Sequence, residues 1–203
     1  MQKENSFEII RLFDLLETEG GEIFFKSMSD VFSSINKDVE EFLKEKAIQS
    51  TKLNTSSTYL VVSSKKGCDI LGYFTLATKM LTLKKEVLSK SEIRIISRFG
   101  YYDKDSNSYK IPAILIAQFS KNFNKKSKSI NGSDLMDIVL KQVKNILNLT
   151  SGKVVFIECE KIEKVINFYE NSGFQILDTE IVTKNKKDFI QLYRVLWLKL
   201  AKT

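Results

Sequence analysis

Residues 153–174 read KVVFIECEKIEKVINFYENSGF. KVVFIEC is a short apolar run rich in β-branched residues, the pattern of a buried strand. IEKVINFYENSG has helical recurrence and stops at Gly173, the residue type that most easily closes a helix in the left-handed conformation. Phe174 then starts another extended stretch with no intervening loop. Strand, helix, glycine and strand in immediate succession predict an α/β arrangement, and the flanking sequence extends it.

Upstream, IPAILIAQF (111–119) is almost unbrokenly apolar, too short for an average helix and bounded by polar residues, which predicts a central strand covered on both faces. After it come Lys121, Lys125, Lys126 and Lys128, then Asn131-Gly132-Ser133. A helix follows, with Leu135, Ile138, Val139, Val143, Ile146 and Leu147 at helical spacing and Gly152 at its end. STYLVVSS (57–64) and DILGYFTLATKML (69–81), separated by Lys65, Lys66 and Gly67, predict a β-hairpin, and FQIL (174–177), KNKKD and FIQLYRVLWLKL (189–200) predict a second. Phe7, Ile10, Leu12, Phe13, Leu15 and Leu16 predict a helix over Asn5–Glu17, ended by Gly20-Gly21. Another helix starts at Asp38, with Val39, Phe42, Leu43 and Ala47 on one face. Residues 84–110 read as a surface connection. No repeat or linker divides the chain, so one domain over 1–203 is expected, with 1–32 as an N-terminal helical extension.

The composition narrows the function. Of 203 residues, 43% are hydrophobic, with 8 Gly and 1 Pro, which excludes collagen-like, low-complexity and disordered classes. Lys plus Arg is 32 against 25 Asp plus Glu, a net charge of +7 that favours anionic partners. Histidine is absent, which excludes Ser-His and Cys-His nucleophiles and His-ligated metals. Cys68 and Cys159 are far apart and read as free thiols. No apolar run approaches the roughly 20 residues of a membrane span, so a soluble, cytoplasmic protein with no membrane partner is expected.

Chemistry concentrates in two places. From Gln118 to Leu135 a strand passes through a polar, glycine-containing loop into a helix, presenting free N–H groups and the positive end of the helix dipole to a phosphate. The alternative reading is that Lys125, Lys126 and Lys128 only solvate a loop. The second place is NFYENSGF (167–174), an aromatic pair before a glycine cap.

FYENSGF (168–174) resembles the FYxxxGF signature of the GNAT (GCN5-related) N-acetyltransferases, and VVFIECEKIEKVI is similar to the strand and helix that introduce it. IPAILIAQFSKN resembles that family's central strand, with Gln118–Lys121 at the stretch that hydrogen-bonds the pantetheine arm of acetyl-CoA. KSKSINGSDLM occupies the place of the pyrophosphate loop, usually Q/R-x-x-G-x-G/A. FLKEKAIQSTKLNTSSTYLVV and ILGYFTLAT are similar to a GNAT branch that includes bacterial toxins acetylating the amino group of aminoacyl-tRNA. The resemblance covers Ser33 to the C-terminus. It departs at the loop, where Gly132 matches the second glycine but Ile130 stands at the first, Ser127 or Lys128 stands near the usual Gln/Arg, and one residue is added.

The resemblance implies a GNAT fold of the α/β (α+β) class: a central mixed twisted sheet with splayed middle strands, flanked by helices. It implies direct acetyl transfer from acetyl-CoA, a co-substrate, to a primary amine, without a metal. Cofactor contacts are then expected from Phe119, Ser120, Lys121, Lys126, Ser127, Lys128, Asn131, Gly132, Ser133 and Asn167. Tyr169 is the residue that would protonate the departing thiolate, and its alternative is a core tyrosine with a satisfied hydroxyl. Phe168 reads as core. Glu158 and Glu160 are candidate bases or a solvated strand end, and water can serve instead, so the base stays unassigned. Cys159, with no histidine to activate it, reads as structural.

The acceptor stays open between a charged tRNA, a small-molecule amine and a protein amine; a CoA-binding module without turnover is a further reading. Lys121, Lys125, Lys126, Lys184, Lys186 and Lys187 would meet phosphates in the tRNA case or keep the surface soluble otherwise. No RNP1-like aromatic set is visible. A toxin-like role implies an antitoxin partner, and a homodimer is compatible with the sequence.

Overall fold

The computed structural model describes residues 7–64, 68–124, 130–150, 152–182 and 188–196. The strands are β1 (Phe7–Arg11), β2 (Ser57–Ser63), β3 (Ile70–Lys84), β4 (Tyr101–Asp103), β5 (Ser108–Lys121), β6 (Val154–Glu160), β7 (Gln175–Val182) and β8 (Asp188–Val195). The helices are α1 (Leu12–Leu16), α2 (Gly21–Asp30), α3 (Lys37–Glu41), α4 (Ala47–Lys52), α5 (Lys90–Ile96), α6 (Gly132–Thr150) and α7 (Glu163–Asn171), with a π turn at Phe42–Lys46 between α3 and α4. The strands are ordered β1-β2-β3-β5-β6-β8-β7, with β4 on β5. β5 and β6 run parallel, whereas β1–β2, β2–β3, β6–β8 and β7–β8 are antiparallel, so the sheet is mixed as expected.

Two compact units are distinguishable by contacts, Met1–Ala77 with Ala117–Val139, and Thr78–Ile116 with Leu140–Thr203. In the first, β1 pairs with β2 from Phe7↔Ser63 to Arg11↔Tyr59. Leu12, Phe25, Phe32, Leu43, Ala47, Leu60, Ile70 and Tyr73 form its core, each fully buried or nearly so. Each leucine, isoleucine or phenylalanine among them contributes about 1.5–3 kcal/mol on leaving water. The Tyr73 hydroxyl donates to the Val39 carbonyl, which satisfies its polar end inside that core. Asn36 caps α3 by accepting from the Asp38 N–H at 2.9 Å.

In the second unit the core is Leu81, Leu83, Ile96, Ile111, Val154, Phe156 and Tyr193. α5 carries a capping box: the Glu92 N–H donates to Ser89 Oγ at 3.2 Å, and the Ser89 N–H to Glu92 Oε2 at 2.8 Å.

The first hairpin, the IPAILIAQF strand, the helix after it, the KVVFIEC strand and the helix ending at Gly173 lie where the sequence puts them. Two expectations need correction. The helix over Asn5–Glu17 is instead β1 followed by the short α1, because the ladder to β2 satisfies the backbone of Phe7–Arg11 and overrides a helical spacing of apolar residues. Residues 84–110 are not a bare connection: they contain α5 and the hairpin of β4 on β5. Among the described residues no helix is long and apolar enough to cross a membrane, and no group of three or more acidic or thiol side chains is placed to hold a metal ion.

Candidate functional site

α7 ends in a motif that explains the spacing of the FYENSGF residues. The Gly173 N–H donates to the Glu170 carbonyl at 2.8 Å, and the Phe174 N–H reaches back to the Tyr169 carbonyl at 3.1 Å. This paired closure requires a left-handed residue at the glycine position, and Gly173 has φ +80°. The closure also brings the side chains of its first and last members together: the Tyr169 and Phe174 ring centroids are 5.9 Å apart, edge to face. The arginine guanidinium of Arg194 donates to the Ser172 carbonyl, so a further helix-end acceptor is satisfied.

Tyr169 is 9% exposed, and burial, aided by the nearby Cys159, lifts its phenol above the ordinary value of 10.0. The phenol is therefore neutral throughout the physiological range and acts only as a hydrogen-bond or proton donor toward an anion. Phe168 stacks edge-on against it at 5.2 Å and is half-buried, so the tyrosine is the deeper of the pair. Asn167 is exposed on α7.

Cys159 is buried, and desolvation with a contribution from Glu160 pushes its thiol up to about 11. A neutral thiol is a poor nucleophile, in keeping with the structural reading. Glu158 is exposed and accepts from Gln191 Nε2 at 2.8 Å. Glu160 is half-buried at the end of β6.

The parallel ladder of β5 with β6 runs over Ile114–Ile116 against Val155–Ile157. Beyond it β5 continues through Gln118, Phe119, Ser120 and Lys121. Gln118 Oε1, at the start of the stretch that the resemblance assigns to the pantetheine arm, is buried without a hydrogen-bond donor. Such an atom costs about 1–3 kcal/mol unless a donor arrives. Phe119 is half-buried. The Ser120 hydroxyl is already engaged, donating to the Lys121 carbonyl at 2.8 Å and lying 2.9 Å from Ser34 Oγ, so its backbone rather than its side chain is left for a ligand. Lys121 Nζ sits over the Phe123 ring at 4.9 Å.

The next residue escaped the sequence reading. Buried Asn122 donates from Nδ2 to the Ile70 carbonyl at 2.8 Å, and its Oδ1 accepts from the N–H groups of Asn124 at 2.9 Å and Ser33 at 3.2 Å. Asn124 donates in turn to the Val31 carbonyl at 2.8 Å. These contacts fasten the end of β5 to the start of β3 and the segment after α2. The available signal was a pair of asparagines immediately following an apolar strand.

α6 begins at Gly132, preceded by exposed Asn131 and followed by exposed Ser133, with buried Ile130 just ahead. The Leu135 N–H donates to the Asn131 carbonyl at 3.0 Å, opening the helix, while Asn131 Nδ2 lies 3.3 Å from Asp134 Oδ2. Asp134 complements the helix dipole and also places a negative charge in the first turn. Close packing supports this start: a Cβ at Gly72 would lie 2.9 Å from Leu135 Cδ2 and 3.2 Å from the Ser120 carbonyl oxygen. Lys126, Ser127 and Lys128 lie outside the described residues, as do Lys125, Lys184, Lys186 and Lys187.

The element order and the closure of α7 at Gly173 define a GNAT-type fold, in agreement with the sequence resemblance. The solved structures that share it include AtaT complexed with acetyl-methionyl-tRNAfMet, with a TM-score of 0.65, 17% identity and coverage of 93% of this chain and 94% of that one. A Tyr-to-Phe variant of KacT gives 0.64 and 19% identity over 94% and 95% of the two chains. AtaTR bound with AcCoA gives 0.57 and 15% identity over 94% and 93%. No protein-family model matches the sequence, and no curated protein matches it significantly.

Proposed function

We propose that the protein is an acetyl-CoA-dependent N-acetyltransferase of the toxin type, acting on the amino group of an aminoacyl-tRNA in the cytoplasm. The observation that carries this reading is Tyr169, a buried neutral phenol fixed at the last turn of α7 by the glycine closure, within a fold shared with AtaT and KacT. AtaT has been solved with acetyl-methionyl-tRNAfMet, and AtaTR with AcCoA.

The donor-free Gln118 Oε1 fits a ligand carrying amide N–H groups, as the pantetheine arm of acetyl-CoA does. The backbone of Phe119, Ser120 and Lys121 supplies the donors and acceptors of an extended strand, and the N–H groups of Gly132 and Ser133 at the start of α6 suit the pyrophosphate. Asn131 and Asn167 offer exposed amides, and Lys126, Ser127 and Lys128 complete the loop in this reading. The neutral amine attacks the thioester carbonyl, the C–S bond breaks, and the Tyr169 hydroxyl gives its proton to the sulfur. The proton shed by the amine returns to the phenolate through solvent, leaving an amide and free CoA thiol. Burial disfavours the thiolate as it disfavours the phenolate, so the transfer stays balanced in a dry site.

The one-domain organisation over 1–203, an antitoxin as protein partner and a homodimer belong to the same proposal; a Tyr-to-Phe variant of AtaT bound to the C-terminus of the antitoxin AtaR and acetyl-CoA is among the similar solved structures. Incubation with acetyl-CoA and an aminoacyl-tRNA, followed by mass spectrometry of the released aminoacyl group, tests the reaction: a 42 Da gain, about that of one acetyl group, is the expected result under direct transfer. Calorimetric binding of acetyl-CoA without transfer to any amine would instead favour a module that has lost turnover, the reading favoured by Ile130 at a glycine position of the loop.

A further inference from the structure

α5 carries a row of cations that the acetyl-transfer chemistry leaves unused. Lys90 and Arg94 are one helical step of four residues apart, and Arg98 follows after another four in the turn that closes the helix. With Ser91 and Ile95 they line a surface concavity of about 480 Å³. All three cations are exposed, and none takes part in an ion pair among the described residues. The only acid on the helix, Glu92, is occupied elsewhere: it caps Ser89 and accepts from the Tyr193 hydroxyl.

The residue types matter as much as the charge. The chain has four arginines among its 32 basic residues, Arg11, Arg94, Arg98 and Arg194. Arg11 is held by Asp14, and Arg194 donates to the Ser172 carbonyl. Among the described residues, the two arginines whose guanidinium groups have no partner are thus both on this one face. Arginine presents a planar fork that grips a phosphate at two oxygens, which lysine cannot do. Lys90 and Arg94 are about 6 Å apart along the helix axis and Arg98 prolongs the row through the closing turn, an array suited to consecutive phosphates on a polymer more than to one small anion.

We propose that Lys90, Arg94 and Arg98 form a docking surface for the phosphate backbone of the tRNA acceptor. This rests on the aminoacyl-tRNA reading and deepens it by naming where the nucleic acid is held. An acidic protein segment is the competing occupant.

The experiment uses the full chain, deacylated tRNA followed by fluorescence anisotropy across a salt series, acetyl-CoA calorimetry and a polyglutamate peptide. Each lost phosphate contact removes about 0.7–0.9 from the log–log salt slope, so the Lys90→Ala, Arg94→Ala, Arg98→Ala triple variant should show a slope shallower by about 2–3. Its acetyl-CoA affinity should be unchanged, which also reports that the variant is folded. The double variant Arg94→Lys, Arg98→Lys keeps the charge and should retain the slope while binding several-fold more weakly. A tRNA slope unchanged in the triple variant overturns the docking surface and leaves the acceptor reading intact. Wild-type protein that fails to bind tRNA at low salt overturns both. Polyglutamate that binds wild-type protein and is lost in the triple variant, with tRNA binding unaffected, hands the face to an acidic protein partner.

Discussion

Tyr193 and Glu92, 101 residues apart, are joined by a hydrogen bond from the β8 phenol to the same carboxylate that closes the capping box of α5. The bond ties α5, in the stretch whose sequence reads as a surface connection, to a core strand. Burial alone would raise the Glu92 carboxyl, but hydrogen bonds from Tyr193 and Ser89 outweigh it and hold the group below its ordinary 4.5.

A depressed carboxyl stabilises the fold above its unfolded value and loses that contribution as pH falls through the folded one. Tyr193→Phe should therefore lower stability at neutral pH by about 1.5–3 kcal/mol, the range for a hydrogen bond to a charged group. The gap between variant and wild type should narrow below pH 4.5. Urea denaturation at pH 7 and near pH 3.5 measures both; an equal deficit at the two values would deny the carboxylate its role.

Tyr169→Phe should reduce kcat about 10²-fold or more, the scale of general acid catalysis, with acetyl-CoA affinity nearly unchanged. The phenol's value lies above 10.0, so its own ionisation should not end activity at or below that pH. Kinetics and calorimetry on the same preparation check the split between turnover and binding. Unchanged turnover would assign the proton to water.

Gly72→Ala should cost about 1–3 kcal/mol through overpacking, because the new methyl would meet Leu135 at 2.9 Å. Leu135→Ala destabilises on its own by opening a cavity, yet it should relieve part of the Gly72→Ala cost when the two are combined. A double-mutant cycle by denaturant titration reads the coupling, and strict additivity would show that the strand and helix do not press on one another there.

Asn122→Leu should be worse than a surface change by more than about 2 kcal/mol, since it strands the Ile70 carbonyl and the N–H groups of Ser33 and Asn124. Thermal unfolding, with hydrogen exchange at Ser33 and Asn124, is the direct check: protection unchanged at both amides would refute the network.

Much of the architecture was legible because strong local signals coincided. IPAILIAQF and KVVFIEC are apolar runs too short for a typical helix, and the FYENSGF spacing encodes the helix closure itself, with tyrosine and phenylalanine brought together around a left-handed glycine. β1 was missed because Phe7, Ile10 and Leu12 fit a helical spacing, while the deciding ladder lies with β2. α5 was missed because KSEIRII is short and its capping box is easily overlooked among turn-forming neighbours. The unmet acceptor of Gln118 and the anchoring role of Asn122 are not legible for a different reason: whether a buried amide is satisfied depends on contacts distant in sequence, 52 residues away for the Asn122 bond to Ile70.

The π turn at Phe42–Lys46 bears on ancestry as well as shape. A π turn holds one residue more than the α-helical turn it replaces, and each added residue would swing an unbroken α-helix by about 100°. Absorbing the extra residue locally lets the flanks keep their faces, with Val39 of α3 and Ala47 of α4 packed in the same core. A relative whose helix is regular throughout would be one residue shorter between Glu41 and Ala47. A residue-by-residue correspondence with such a relative would open a one-residue gap there.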